Sequence, residues 1–279
     1  MILAVKIPCN GPLFEPVSGL SDLSSLDQVS TELPRGVYTT FRTYLRSYAY
    51  DLEDHFQRLV NSASLVGNQI TLDSGRIRAA IRQILPSLEG EEFRIRISID
   101  LESESCTAFV LIDKLVQPLE EDYRNGIKTL TRIFHRENPE AKSTEFISKS
   151  KNFRRLISSE VNEVLLCEPA GEIMEGLSSN FFGVMENKIF TAGEGVLSGI
   201  TRALVLEEAG NYHIEVVYRP INLNEISRLS EAFLTSTSRA VLPVRQIDEC
   251  MIGSGSPGSV SEILARAYLE RVKRGLEEI

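Results

Sequence analysis

The sequence predicts a mixed fold of helices and strands arranged in about two domains. Three observations carry that expectation. A chain of 279 residues is long enough for two domains, each burying its own core. Runs that alternate apolar with polar residues, as strands do, are interspersed with stretches whose apolar residues recur at helical spacing. Residues 116–125 combine a proline with a run of acids just before Gly126, a composition typical of a boundary between domains. Composition narrows the function as well. A net charge of −9 argues against a general nucleic-acid or anionic-membrane surface. No apolar stretch approaches the roughly 18 residues a membrane span needs. The start, MILAVKIPCNGP, has too brief an apolar run to read as a secretory signal. Cys9, Cys106, Cys167 and Cys250 are scattered without a CxxC pair, and the chain has three histidines. We therefore expect no disulfide framework, no metal site and a cytoplasmic location.

In order along the chain, residues 1–35 are short apolar pieces between polar turns, irregular with one or two strands. GVYTTFRTYLR, from Gly36, alternates as a strand does and carries Tyr38. Residues 51–63 place Leu52, Phe56, Leu59 and Ala63 at helical spacing, with acids in the first turn where the helix dipole favours them. Residues 77–85 form a second amphipathic helix, ended by Pro86 and Gly90. FRIRISID at 93–100 reads as a strand with Arg94 and Arg96 on one face, and 108–112 as the next strand. A strand at 126–134 leads into HRENPEAKSTEFISKSKNFRRLI. The second half is organised around residues 172–202, EIMEGLSSNFFGVMENKIFTAGEGVLSGITR. This reads as a strand, a Ser-Ser-Asn turn, a hairpin through Glu186-Asn187-Lys188, a glycine-rich loop and a helix start capped by Thr201. A loop of small residues feeding a helix start presents free N–H groups and a positive dipole end, which suits phosphate. Residues 231–244 read as strand, Ser/Thr turn, strand. Asp248 sits at a strand end, 253–258 is a flexible loop, and 259–275 is an amphipathic terminal helix.

EGLSSNFFGV, then Thr191, then VLSGITR closely resemble the class IV aminotransferases, the D-amino-acid and branched-chain transaminase group that uses pyridoxal 5'-phosphate (PLP). EDHFQRLVNSA at 53–63 is similar to the family's arginine-bearing helix, and EAFLTSTSRAVLPV at 231–244 to its second phosphate-contacting turn. The likeness spans residues 34–275 and is strongest over 172–248. It implies a two-domain α+β protein of PLP fold type IV, with an N-terminal α/β sandwich over 1–120 and a C-terminal pseudobarrel over 126–279. It also implies a homodimer. By the same resemblance Arg58 clamps the cofactor phosphate, a task suited to a permanent charge with paired donors. Glu175, directly before GLSSN, pairs with the pyridine nitrogen in preference to Glu172. Ile200 and Thr201 offer backbone N–H groups to the phosphate, Thr201 adds its hydroxyl, and Ser236 and Thr237 form a second phosphate-contacting pair. Arg202 and His55 are expected to be structural. Tyr38 takes the place of an aromatic in the substrate cavity, and Arg94 and Arg96 are candidates for the substrate carboxylate.

The resemblance also requires a Schiff-base lysine on a segment opening a helix, before the glutamate motif. Lys142, Lys149 and Lys151 compete. Lys149-Ser-Lys-Asn152 imitates the family's K-x-x-N, but the family's lysine-to-glutamate spacing is matched by the 33 residues from Lys142 to Glu175, against 26 and 24 from the other two. Lys142 also opens Lys-Ser-Thr-Glu-Phe-Ile, similar to the relatives' K-S-L-N-L-L, and the expectation settles on it. The chemistry asks for an amine unprotonated near neutral pH, obtained by burial beside other cations. The same amine then moves the proton at substrate Cα.

Two departures from the family pattern stand out. Leu33-Pro34-Arg35-Gly36 replaces the usual D-R-G-x-x-Y-G-D-G lead-in. Glu145 and Phe146 stand where branched-chain enzymes carry Asn and Tyr, so the tyrosine hydroxyl beside the cofactor's phenolic oxygen is missing. The expected activity is amino-group exchange between an amino acid and a 2-oxo acid. Its rivals are pyruvate elimination of the aminodeoxychorismate lyase type, which Thr39-Thr40 also resembles, and a non-catalytic protein that kept the fold. The expected partners are small molecules, with neither nucleic acid nor membrane among them.

Overall fold

The computed structural model describes residues 2–20, 22–103 and 107–279, so Cys106 lies outside the described residues. The chain separates into two compact units. Unit 1 comprises the chain up to Val116 together with Glu140–Lys149 and Arg274–Ile279, and unit 2 comprises Gln117–Pro139 and Ser150–Lys273.

Unit 1 is built on a five-stranded antiparallel sheet in the order β2-β1-β6-β5-β3. Its strands are β1 (Leu3–Ile7), β2 (Glu15–Pro16), β3 (Gly36–Arg42), β5 (Phe93–Asp100) and β6 (Ala108–Lys114). Alternation sorts the residues onto two faces. Val37, Phe41, Ile95, Ile97, Ile99, Val110 and Ile112 pack with the apolar stripes of α2 (Leu52–Leu65) and α3 (Ser74–Ile84) in the main core. The opposite face carries the cross-strand pairs Tyr38–Ser98, Thr40–Arg96 and Arg42–Arg94. There α1 (Leu26–Glu32) seats Leu26 and Val29 on Ala4 and Leu111. The sequence pattern does not show α1, which has too few apolar residues for a period. Its start is marked only by Ser25, whose hydroxyl accepts from the Gln28 N–H at 3.2 Å.

Two segments expected in the C-terminal domain belong to unit 1. One is Glu140–Lys149, which contains α5 (Thr144–Lys149). The other is the chain end, where β17 (Leu276–Glu278) pairs antiparallel with β4 (Tyr48–Tyr50) and Ile279 enters the core. Both are fixed by pairings to residues roughly a hundred or more positions away, which no local pattern encodes. The stretch expected as a boundary, residues 116–125, holds a short helix, α4 (Glu120–Asn125).

Unit 2 contains a closed barrel. Its strands β7 (Ile127–Ile133), β8 (Glu163–Cys167), β9 (Glu172–Gly176), β10 (Asn180–Met185), β14 (Glu231–Ser236) and β15 (Ala240–Ile247) run in the order β10-β14-β15-β7-β8-β9. β9 then pairs back onto β10 through Glu175 and Asn180, closing the ring. Pairings β7–β8 and β7–β15 are parallel. The sheet is extended by β11 (Lys188–Thr191), β12 (Val216–Tyr218), β13 (Ile221–Asn222) and β16 (Cys250–Met251). Leu165, Phe181, Leu234, Leu242 and Ile247 are among the buried residues of its core. The β10–β11 hairpin turns where expected, at Glu186 and Asn187, both with positive φ (52° and 59°), as a primed two-residue turn requires. Besides α4, the helices here among the described residues include α6 (Lys151–Arg154), α7 (Ile200–Asn211) and α8 (Ser259–Arg274). No helix of the described residues is long and apolar enough to cross a membrane.

Candidate active site

In unit 1 the residues around Lys142 add to the edge of β3. The Lys142 N–H donates to Ser62 Oγ at 3.1 Å, and its carbonyl accepts from the Tyr38 N–H at 2.8 Å. Ser143 bridges Val37, and the Thr144 hydroxyl accepts from the Gly36 N–H at 2.9 Å. The lysine is therefore clamped on both sides of its Cα. Its ammonium lies 4.9 Å from the centre of the Tyr38 ring. Of the other two contenders, Lys149 is exposed and paired with Glu145 at 2.9 Å, and Lys151 is exposed at the start of α6.

Tyr38 is also in contact with a second cation, the Arg96 guanidinium 4.6 Å from its ring centre. Arg96 is itself held by the protein. It donates to Asp27 Oδ1 and Ser30 Oγ, both at 2.8 Å, to the Leu26 carbonyl at 3.1 Å and to Thr40 Oγ1 at 3.2 Å. Arg94 faces Asp113 at 3.2 Å. Both arginines expected near a substrate carboxylate thus have acidic partners within unit 1.

Along α2, His55 and Arg58 sit one turn apart. His55 is buried and its Nδ1 shares a 2.7 Å hydrogen bond with Thr39 Oγ1. Burial, reinforced by the charges of Arg58 and Lys142, holds its pKa well below the ordinary histidine value. Burial likewise pushes the Arg58 guanidinium down to about 10, against the pull of Tyr38 and Asp54. The buried His55 makes stability depend on pH. The unfolded chain takes up a proton as pH falls through 6.5 and the folded histidine does not, so folding stability should decline below that pH. Urea midpoints measured against pH should fall less steeply for His55→Asn than for wild type. Equal slopes would show that His55 is not the titrating group.

In unit 2 the strand-and-turn segment around Glu175 and the loop that opens α7 lock onto each other. Glu175 on β9 is 3% exposed. Its Oε1 accepts from the Arg136 guanidinium and its Oε2 from the Leu197 N–H at 3.1 Å. The Leu197 carbonyl in turn accepts from Asn180 Nδ2 at 2.8 Å. A Cβ at position 199 would lie 2.2 Å from Asn180 Oδ1, so this approach requires glycine. Gly199 is the N-cap of α7 and supplies no side-chain cap, which corrects the expectation for Thr201: it is the buried second residue of the helix. The first-turn N–H groups of Ile200 and Thr201 have no acceptor within the helix. With the dipole behind them, this arrangement suits an anion. Arg202 is buried and donates to the Ala192 carbonyl at 2.8 Å, a structural role. Burial lowers its pKa, against Tyr218 and Glu175. Ser236 ends β14, and Thr237 lies in the turn to β15.

Three residues of this region were not expected from the sequence: Arg136, Glu163 and Arg239. Arg136 left only the signal of a basic residue six positions before Lys142. Unit 1 offers a clamped lysine and a half-buried Arg58 whose charges both act on His55, and unit 2 offers a helix start suited to an anion and a buried carboxylate.

Comparison with known proteins agrees with this fold. Among solved structures, the T.th. branched-chain amino acid aminotransferase with pyridoxamine 5'-phosphate matches with a TM-score of 0.79. That match covers 99% of this chain and 98% of the other at 21% identity, a likeness of fold. The family Amino-transferase class IV matches residues 36–247, and the chain belongs to that family. It is 28% identical over 259 residues to the branched-chain-amino-acid aminotransferase of Pseudomonas aeruginosa, covering 85% of this chain and 84% of that one. It is 23% identical over 273 residues to the D-alanine aminotransferase of Bacillus licheniformis, covering 92% and 94%.

Proposed function

We propose that this chain is a PLP-dependent aminotransferase exchanging an amino group between an amino acid and a 2-oxo acid, with Lys142 as the covalent partner of the cofactor. The observation that carries the reading is the double backbone clamp on Lys142, set against the exposure of Lys149 and Lys151. A nucleophilic amine needs a fixed approach, and bonds from Ser62 and Tyr38 supply one. The remaining residues fit a phosphorylated pyridine aldehyde. Arg58 and the N–H groups of Ile200 and Thr201 suit its phosphate, with Ser236 and Thr237 as hydroxyl donors. Glu175 suits its ring nitrogen. When bound, PLP supplies an electron-withdrawing ring conjugated to substrate Cα.

The chain's own part is then to hold and move charge. With PLP bound, Lys142 would be the free amine that takes the proton from substrate Cα and passes it to the carbon derived from the cofactor's aldehyde, as net amino transfer needs. Glu175 would face the ring nitrogen with its carboxylate, which Arg136 and the Leu197 N–H hold in place. Tyr38 is our substrate-side candidate, since Arg94 and Arg96 are engaged with Asp113 and Asp27. We infer a homodimeric, cytoplasmic enzyme by analogy with the family alone.

The test is an exchange assay on purified protein loaded with PLP, offered branched-chain L-amino acids or D-alanine with a 2-oxo acid acceptor. Ping-pong turnover supports transamination, and the preferred donor gives its hand. Pyruvate released from a single substrate with no acceptor would replace it with an elimination.

A further inference from the structure

Glu163 opens β8 and is fully buried. Its Oε2 accepts from Arg239 Nη2 at 2.6 Å and from the hydroxyls of Ser178 and Ser179, each at 3.0 Å. Its Oε1 accepts from the Val164 N–H at 3.1 Å. Burial alone would raise its pKa, but Arg239, Val164 and Ser178 outweigh it and leave the carboxyl below its ordinary value. The four donors come from two different turns and from β8 itself. Ser178 and Ser179 lie in the turn between β9 and β10, just past Glu175. Arg239 closes the turn between β14 and β15. There its Nε donates to Ser236 Oγ and its N–H to the Ser236 carbonyl, both at 3.2 Å, while its carbonyl accepts from the Tyr123 hydroxyl at 3.0 Å. Arg239 Nη2 also donates to Ser178 Oγ at 2.9 Å, so the two turns are tied directly as well. The packing has no slack. A Cβ at Gly176 would lie 2.3 Å from Ser179 Oγ and 3.0 Å from Glu163 Cγ.

A charge pair this deep is a weak source of stability, because desolvation offsets much of its attraction and apolar side chains would fill the space as well. What it offers that apolar packing does not is directional geometry. We infer that Glu163 is a positioning residue for the cofactor phosphate: through Arg239 and the two serines it fixes the turn that carries Ser236 and Thr237 against the turn that follows Glu175. This rests on the proposed reading that Ser236 and Thr237 contact the phosphate.

The experiment compares two ligands that differ only in the phosphate. Apo-protein is titrated with PLP and with pyridoxal, followed by the visible absorbance of the bound aldehyde, and thermal midpoints are recorded in parallel. Glu163→Gln should bind PLP about 10-fold more weakly, the usual cost of losing a charge-assisted hydrogen bond, and pyridoxal as wild type does. Arg239→Lys keeps the carboxylate paired but drops the Nε donor to Ser236. It should show the same selective loss, smaller in size, and it decides the matter if Glu163→Gln does not fold. Equal weakening toward both ligands, or no weakening with only a lower thermal midpoint, would make Glu163 a fold residue and overturn the inference. Thr237→Ala and Ser236→Ala test the underlying reading separately. If both bind PLP as wild type does, the phosphate assignment fails and the inference falls with it. If they weaken PLP and Glu163→Gln does not, only the inference fails.

Discussion

Lys142→Ala is expected to abolish transamination and the yellow colour of the PLP-loaded protein, while Lys149→Ala leaves both intact. The substitution removes at once the group that holds the cofactor and the group that moves the Cα proton. Proton transfer alone is worth about 10²–10⁴ in rate, so kcat should fall by at least about 10³-fold. The geometry supports the choice of this lysine. Its backbone is held by Ser62 and Tyr38, its ammonium sits over the Tyr38 ring, and its charge is felt by His55. Lys149, by contrast, is exposed and spends its charge on Glu145, four residues away on α5. Borohydride reduction of wild type followed by peptide mapping should place the cofactor on the Lys142 peptide. Labelling of the Lys149 peptide would keep the family and overturn the spacing argument. A wild-type protein that takes up no PLP would sink the enzymatic reading.

How much of this was legible depends on how local each feature is. Helix α2 announced itself because Leu52, Phe56, Leu59 and Ala63 must face one core, and it carried Arg58 and His55 into place. Strands β3 and β5 were legible for the same reason at period two, and the β10–β11 turn through the chemistry of Glu186-Asn187. Lys142 could be ranked above Lys149 from spacing. What could not be read is that residues 140–149 join unit 1, because that depends on Gly36 and Tyr38 donating backbone N–H groups to Thr144 and Lys142. Helix α1 escaped because seven residues make under two turns. Thr201 looked like a cap because threonine is a common one. The true cap is Gly199, and the reason is the close approach of Asn180, a contact across 19 positions. Arg136, Glu163 and Arg239 are ordinary charged residues in the sequence. Only the closed barrel brings Arg136 to Glu175, and Arg239 with Ser178 to Glu163.

Glu175→Gln should lower kcat by an amount on the order of 10²–10³, the scale of removing one preorganised electrostatic partner, while leaving the cofactor attached to Lys142. The side chain keeps its size, so packing on β9 is preserved, but the negative charge is gone. Two effects then act together. Any ring nitrogen beside it loses the anion that favours its protonated form, and the Arg136 guanidinium keeps its place with no counter-charge on position 175. The loss should therefore appear in kcat more than in substrate KM, because the ring's pull on electrons matters most as the Cα proton leaves. Borohydride labelling of Lys142 should be undiminished, which separates this outcome from simple loss of the cofactor. Glu172→Gln is the matched comparison. Glu172 is exposed at the start of the same strand and should turn over as wild type. If Glu172→Gln instead shows the kcat loss and Glu175→Gln does not, then the buried pair of Glu175 and Arg136 serves the barrel alone, and the ring nitrogen answers to the other carboxylate.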